Sequence, residues 1–386
     1  MSTRSIIHFI AIVFIVLSGL LEFIGFPTAM TKAFCLFFLL IMFGREVVLG
    51  HSKVPVYALI LVFFMMATML IHLTSSNYLA LSVSMFQIWS PFLVFYLLYS
   101  LQGARSKDTS KILLFVLSIQ MAAAMVKFIV VGQNEGQGVG TISIQAGSLS
   151  TYIVCILCVT TFAFKSSQKV VLICLVSALV FTIINEKRLG VIIVLIFSMI
   201  HYLRFSGSIY RLVLTYAMGI GLISLTGYFG ARFIPTLLDG YSILEFDTRV
   251  ISYLMQTTED GEAIGRLAGS FQTLERVASK DALLFGLGPA EFLSSNITGT
   301  NEMAGAGFNI VGSTLVIARF GLVGFVMVLF SIYSLYKLQL NTAGKFLVGF
   351  VLFDFIIYSG AFFLSYISIY ALILLRGVDD KFSKIL

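Results

Sequence analysis

The chain has 386 residues, of which 59% are hydrophobic and 11% charged, and it carries a formal charge of +7. A soluble domain carries about 25% charged residues, so the composition excludes an ordinary soluble enzyme and points to an all-α, polytopic membrane bundle. The longest polar stretch is acidic, so the basic excess lies in the other loops and the termini; that asymmetry is one of membrane topology, and no nucleic-acid partner is expected.

A spanning helix needs about 20 apolar residues. That ruler predicts about twelve transmembrane helices, at 6–25, 30–44, 54–74, 79–101, 112–132, 148–164, 170–185, 189–205, 211–229, 320–337, 345–359 and 361–376. The first is longer than a signal-peptide core and has no small-residue cleavage site after it, which predicts an uncleaved helix. The division of 345–376 rests on Gly360 alone. With the N-terminus inside, the inner connections hold Arg45, Lys53, Arg105, Lys107, Lys111, Lys165, Lys169, Arg204, Arg211, Lys337 and Lys345. The tail adds Arg376, Lys381 and Lys384. The outer connections are short of Lys and Arg, except at Lys187-Arg188. Both ends are therefore expected in the cytoplasm.

Three regions follow: helices one to nine over 1–229, an extracytoplasmic loop over 230–319, and helices ten to twelve with a cytoplasmic tail over 320–386. From Gly230 to Phe308 the loop has five basic residues (Arg232, Arg249, Arg266, Arg276, Lys280) against ten acids. Ala263, Leu267, Phe271, Leu274 and Ala278 recur at helical spacing, predicting an amphipathic helix over about 262–280 that ends at the turn Gly286-Leu287-Gly288-Pro289. Asp247 is placed to cap a second helix containing Arg249. The run 309–318 is apolar but short. In one helix continuous with the next span it would carry Arg319 into the membrane, at about 2.5–3.5 kcal/mol on insertion scales, so a separate short helix at the outer surface is expected.

Cys35, Cys155, Cys158 and Cys174 all lie in apolar segments. The Cys155/Cys158 pair has no further Cys or His to complete a zinc site, so all four read as packing residues. His8, His51, His72 and His201 form no cluster. No metal site and no cofactor are expected. Lys127, Glu22 and Asp354 lie near outer helix ends; each is either a functional intramembrane charge or a side chain that snorkels to the headgroups. The segment Gly132–Gly140 is glycine-rich but follows a membrane helix, so it is an outer loop and not a nucleotide cradle.

Arginine concentrates at two outer places. One is the tight turn Asn185-Glu186-Lys187-Arg188-Leu189-Gly190; the other is the loop with Arg249 and Arg266. The plainer readings are headgroup anchoring for the first and a solvated helix face with a Glu262–Arg266 pair for the second. Converging, they would make a site for an anion, because guanidinium binds phosphate oxygens through two parallel donors and stays charged. A lipid-linked diphosphate at the membrane surface fits, and the same arginines would stabilise charge on a departing diphosphate without a metal.

These residues resemble the bacterial O-antigen polymerase and ligase superfamily, membrane glycosyltransferases with a GT-C-type bundle. The likeness is architectural over the whole chain and motif-level in three places. Glu186-Lys187-Arg188-Leu189-Gly190 is similar to the family's Arg-Gly turn before a membrane helix. Gly265-Arg266-Leu267, then Leu284-Phe285-Gly286-Leu287-Gly288-Pro289 and Phe292, resemble its arginine, amphipathic helix, GxGP and Phe pattern. Phe308-Asn309, then Arg319-Phe320-Gly321-Leu322-Val323-Gly324, resemble its His-Asn and glycine entry to the next helix.

The resemblance implies that Arg188 and Arg266 bind the lipid-linked diphosphate, with Arg249, Arg319, Lys187, Gly288 and Glu302 as further substrate-binding candidates. It implies an undecaprenyl-pyrophosphate-linked oligosaccharide as substrate, a chain-length regulator protein as a partner, and a place in the bacterial inner membrane. The ligases have a catalytic His where this chain has Phe308, which has no proton to exchange; polymerase activity is therefore expected over ligase activity. Glu186 and Glu302 are the candidate general bases. A lipid-linked oligosaccharide flippase is the competing reading from another class, although the halves of the chain show no repeat of the kind transporters use.

Overall fold

The computed structural model describes residues 28–50, 54–72, 78–101, 109–131, 148–163, 168–184, 188–206, 266–288, 310–357 and 366–376. Among them it is all-helical, with eleven helices and no strand. In chain order these are α1 Thr28–Val48, α2 Val56–Ile71, α3 Tyr78–Leu101, α4 Thr109–Val131, α5 Ser148–Ala163, α6 Gln168–Ile184 and α7 Arg188–Ser206. Then come α8 Arg266–Ser279, α9 Gly312–Leu338, α10 Thr342–Ile357 and α11 Tyr366–Arg376. Ten of the twelve apolar segments expected from sequence coincide with α1–α7 and α9–α11. The segments 6–25 and 211–229, and the helix expected after Asp247, lie outside the described residues.

Three helices form the centre. Every residue from Ile88 to Leu98 of α3, Thr151 to Ala163 of α5 and Ile367 to Leu375 of α11 is buried. The α11 helix touches α3, α4, α5 and α10, and the remaining helices pack around this core. Such helices have no polar stripe because no face of theirs meets water. Pro91 lies inside α3 and removes one ladder hydrogen bond; burial on all sides of the surrounding turns holds the helix through it. Cys155 and Cys158 are enclosed in α5 and Cys174 is half-buried on α6, in keeping with packing roles.

The outer helices are apolar outward as well. Val56, Leu59, Phe63, Met66 and Leu70 of α2 are 56–74% exposed. Leu172, Ile173 and Val176 of α6 and Val326 of α9 are more than half exposed too. Among the described residues, α9 is the one helix long and apolar enough to cross a membrane; several others contain shorter apolar stretches.

The contacts sort the helix termini into two ends. At the loop end, the Val311 N–H donates to Ser270 Oγ of α8 at 3.0 Å and Ser313 Oγ donates to the Ile356 carbonyl at 3.3 Å. There too Tyr152 donates to a carboxylate oxygen of Asp354. At the opposite end Asn341 caps α10, its Oδ1 accepting from the Gly344 N–H at 2.7 Å, while its Nδ2 donates to the last turn of α11 at the Leu375 carbonyl. Tyr96 and Ser334 share a hydrogen bond in the same half.

Of the two readings of Asp354, burial excludes snorkelling. Its side chain is fully buried and bonded to Tyr152 on the central helix α5, so it does not snorkel: it lies on the core face of α10, beside Phe355 and Val351, both buried. The side chain of Lys127 and all of Glu22 lie outside the described residues.

Candidate functional site

The loop helix α8 forms as expected. Its buried face is Gly269, Ser270, Thr273 and Val277, while Phe271 is 68% exposed and Ala278 is also exposed. This face of small residues lets α8 lie close against the start of α9 and bond it through Ser270. The helix ends at Ser279, where the end was expected near 280. Asp281 adopts a left-handed φ of 53°. Its N–H donates to the Ala278 carbonyl at 3.0 Å and the Ala282 N–H donates to the Val277 carbonyl at 3.1 Å, the paired bonds of a Schellman cap with Asp in the position that usually holds Gly.

From that cap the chain enters the turn Leu283–Gly288, and the turn fills a break in α9. At Gly321 the helix adopts φ 68° and ψ −169°, splitting α9 into a short segment before the break and the long apolar segment after it. A broken helix exposes carbonyls on one side and N–H groups on the other. Here the turn supplies both kinds of partner. The Leu287 N–H donates to the Ala318 carbonyl at 2.8 Å, and the N–H groups of Leu322 and Val323 donate to the carbonyls of Leu283 and Leu284 at 2.9 and 3.3 Å.

The glycines follow from this geometry. Gly286 has φ 78°, and a Cβ there would stand 2.5 Å from the Arg319 carbonyl carbon and the Phe320 nitrogen. A Cβ on Gly321 would run into the Leu284 carbonyl. At Gly324 the missing side chain makes room for Phe320, which folds across the break onto Trp89 of α3, edge to face at 5.7 Å. Trp89 in turn meets Phe64 of α2 at 5.0 Å. The separate short helix expected before Arg319 exists, but one side of it is sunk in protein: Val316 and Ala318 are fully buried, and Arg319 is 9% exposed.

The C-cap of α2 completes the joint. His72 follows the last turn of α2 and lies against Gly288, whose φ of 102° favours glycine and where a Cβ would stand in ordinary contact 3.4 Å from its Nδ1. The imidazole is half-buried at this joint. Its Nε2 is buried and has no hydrogen-bond partner among the described residues. Sequence reasoning passed over His72; the signal was its place as the polar residue closing an apolar helix on the loop side.

The candidate residues fare unequally. Gly288 and Arg319 are brought to the same joint. Arg266 opens α8 and Arg188 opens α7; their side chains lie outside the described residues, as do Glu186, Lys187, Arg249 and Glu302. At the α6–α7 connection Gly190 is buried against α6, where a Cβ would meet Thr182 Cγ2 at 2.8 Å and Oγ1 at 2.9 Å. That close approach is the physical reason for a glycine two residues after Arg188.

No known family model matches the chain, and no curated protein matches it.

Proposed function

We propose that the chain is an integral glycosyltransferase of the bacterial inner membrane, a GT-C-like bundle of about twelve spans with both termini cytoplasmic and the 230–319 loop outside. In this reading it polymerises a surface polysaccharide. A hydroxyl of a lipid-linked repeat unit attacks the anomeric carbon of a glycan carried on undecaprenyl pyrophosphate. The bond to the diphosphate breaks, undecaprenyl pyrophosphate leaves with the electron pair, and the hydroxyl proton passes to a base.

The observation that carries this reading is the seating of the Leu283–Gly288 turn in the break of α9. Two of the three motifs behind the resemblance, distant in sequence, meet there backbone to backbone. The joint turns α8 into a platform fixed to the bundle, with Arg266 at its first residue. Fixed donors need no reorganisation as charge builds on the leaving group. The membrane setting is supported by the apolar outward faces of α1, α2, α6 and α9, which exceed what a soluble surface carries. It is supported also by Lys337 over Tyr333 and Lys345 over Tyr336 at the end away from the loop, the aromatic and basic collar of a membrane interface.

A broken helix is also a device of transporters, which use the freed backbone groups to bind substrate or ions. In this chain Ala318, Leu322 and Val323 spend theirs on the turn, which favours the enzyme.

The test is a gel profile of surface polysaccharide from the native strain, a deletion, and the deletion complemented by wild type or Arg266→Ala. A ladder that collapses to single repeat units, and is not restored by Arg266→Ala at normal abundance, supports the polymerase. Loss of capped glycan with long lipid-linked chains accumulating indicates a ligase. Full restoration by Arg266→Ala overturns the arginine assignment and makes transport the leading reading.

A further inference from the structure

We propose that the hairpin between α9 and α10 binds an anionic phospholipid of the leaflet away from the loop, with the phosphate held by Lys337 and Lys345 and one acyl chain lodged in a notch at Gly349. The site rests on the membrane setting proposed above and not on glycosyl transfer.

The argument starts from two ammonium groups. Lys337 Nζ stands 5.6 Å from the centre of the Tyr333 ring, and Lys345 Nζ stands 5.5 Å from that of Tyr336. Both distances fall where a cation is attracted to a ring face. Tyr333 and Tyr336 are three apart in α9 and so share one face of it. Lys337 joins them from the same helix, and Lys345 reaches across from the first turn of α10. Two positive charges from two helices are thus gathered on one exposed ridge. The helices around the ridge do not balance them. From Gly312 to Phe353 the chain has no Asp or Glu. Nor have α2, α5, α7 and α11, the other described helices that pack on α9 or α10 away from the loop. Two neighbouring ammonium groups without an acid suit a phosphate, whose several charged oxygens accept from both.

The apolar surroundings say which phosphate. A free ion gains nothing from apolar neighbours, whereas this ridge runs on into an apolar surface. Leu340 on the hairpin and Phe346, Phe353, Ile356 and Ile357 on α10 are exposed. Lys345, Gly349 and Phe353 follow one another at four-residue spacing along a single face. Gly349 is exposed, and a Cβ there would find nothing within 4 Å. It leaves a notch about 6 Å deeper in the bilayer than Lys345. The walls of the notch are held in place. Phe346 meets Phe197 of α7 edge to face at 5.7 Å, and Phe353 stacks on Phe350 at 6.0 Å. Basic side chains at the headgroup level above an apolar notch match a lipid, with its phosphate at the interface and its chain below.

The probe is phosphatidylglycerol, compared with phosphatidylcholine of the same acyl chains. Each is titrated onto the full-length protein in a neutral detergent, and retention is read by native mass spectrometry; thermal unfolding checks that every variant is folded. Wild type is expected to hold phosphatidylglycerol the more tightly. Lys337→Gln and Lys345→Gln are each expected to weaken it about fivefold, the effect of one lysine at the interface, and Arg at either position is expected to keep it. Gly349→Leu fills the notch and leaves the charges, so it should lower retention of both lipids. Lys169→Gln, on the exposed start of α6, should change nothing. Equal retention of the two lipids by wild type overturns the proposal, as does a Lys337→Gln, Lys345→Gln double variant that keeps the preference. Equal weakening by Lys169→Gln and Lys345→Gln would mean diffuse attraction and no site. Displacement of the lipid by inorganic phosphate at equal concentration would assign the lysines to a free anion. A preference that appears only in the Asp379→Asn, Asp380→Asn double variant, at tail positions outside the described residues, would assign them to the chain's own acids. No glycan enters the measurement, so the polymerase can fail while the lipid site stands. Recovery of the chain as a soluble protein without detergent would remove the membrane setting and the site with it.

Discussion

Gly286 and Gly321 exclude each other's side chains. A Cβ on the first would strike the backbone of Arg319 and Phe320, and a Cβ on the second would strike the backbone of Leu284 and Phe285. Each backbone lies in the space that the other residue leaves empty, and both have left-handed φ values.

Replacing either glycine by Ala should therefore do more than strain one residue. The obstacles are main-chain atoms of a bonded joint, which have no rotamer to change. Adding the cost of a left-handed Ala, about 1–2 kcal/mol, to overpacking of about 1–3 kcal/mol gives a loss that thermal unfolding in detergent should register as failure to accumulate folded protein. Gly349→Ala is the control. It lies in α10 with no atom within 4 Å of the added methyl, and Ala there should be neutral or stabilise by up to about 1 kcal/mol.

Gly190→Ala tests the α6–α7 approach. The obstacle is the Thr182 side chain, so the variant should lose about 1–3 kcal/mol and Thr182→Ala should recover much of it. Unfolding of the two single variants and the double variant gives the coupling; additivity within about 0.5 kcal/mol would mean the helices adjust independently.

Tyr152→Phe removes a donor from the buried carboxyl of Asp354. An unmet buried acceptor costs about 1–3 kcal/mol, and Asp354→Asn in the same background should restore part of that loss because an amide is cheaper to bury than a carboxylate. Equal stability of wild type and Tyr152→Phe would show that Asp354 takes its support from elsewhere.

Much of the helical framework was legible because a run of about 20 apolar residues has few alternatives, and the bounds expected for α3–α7 agree with those found to within a few residues. The packing face of α8 was not, because periodicity at Phe271 and Leu274 does not say which side meets the protein: burial follows Gly269, Ser270, Thr273 and Val277, while Phe271 is exposed. The helix end expected near 280 is found at Ser279, with Asp281 in the left-handed position that Gly usually takes, and the glycines further on serve the joint with α9. The approach of His72 to Gly288 joins parts of the chain more than two hundred positions apart, and no local pattern encodes it.

The joint has one more consequence. Since Leu287 is tied to Ala318 and Leu283 to Leu322, the stretch between turn and break starts and finishes at fixed anchors. Closing a longer stretch between the same anchors adds only about 0.6 kcal/mol for each doubling of its length. An insertion between these anchors should therefore leave the turn and the break seated as they are.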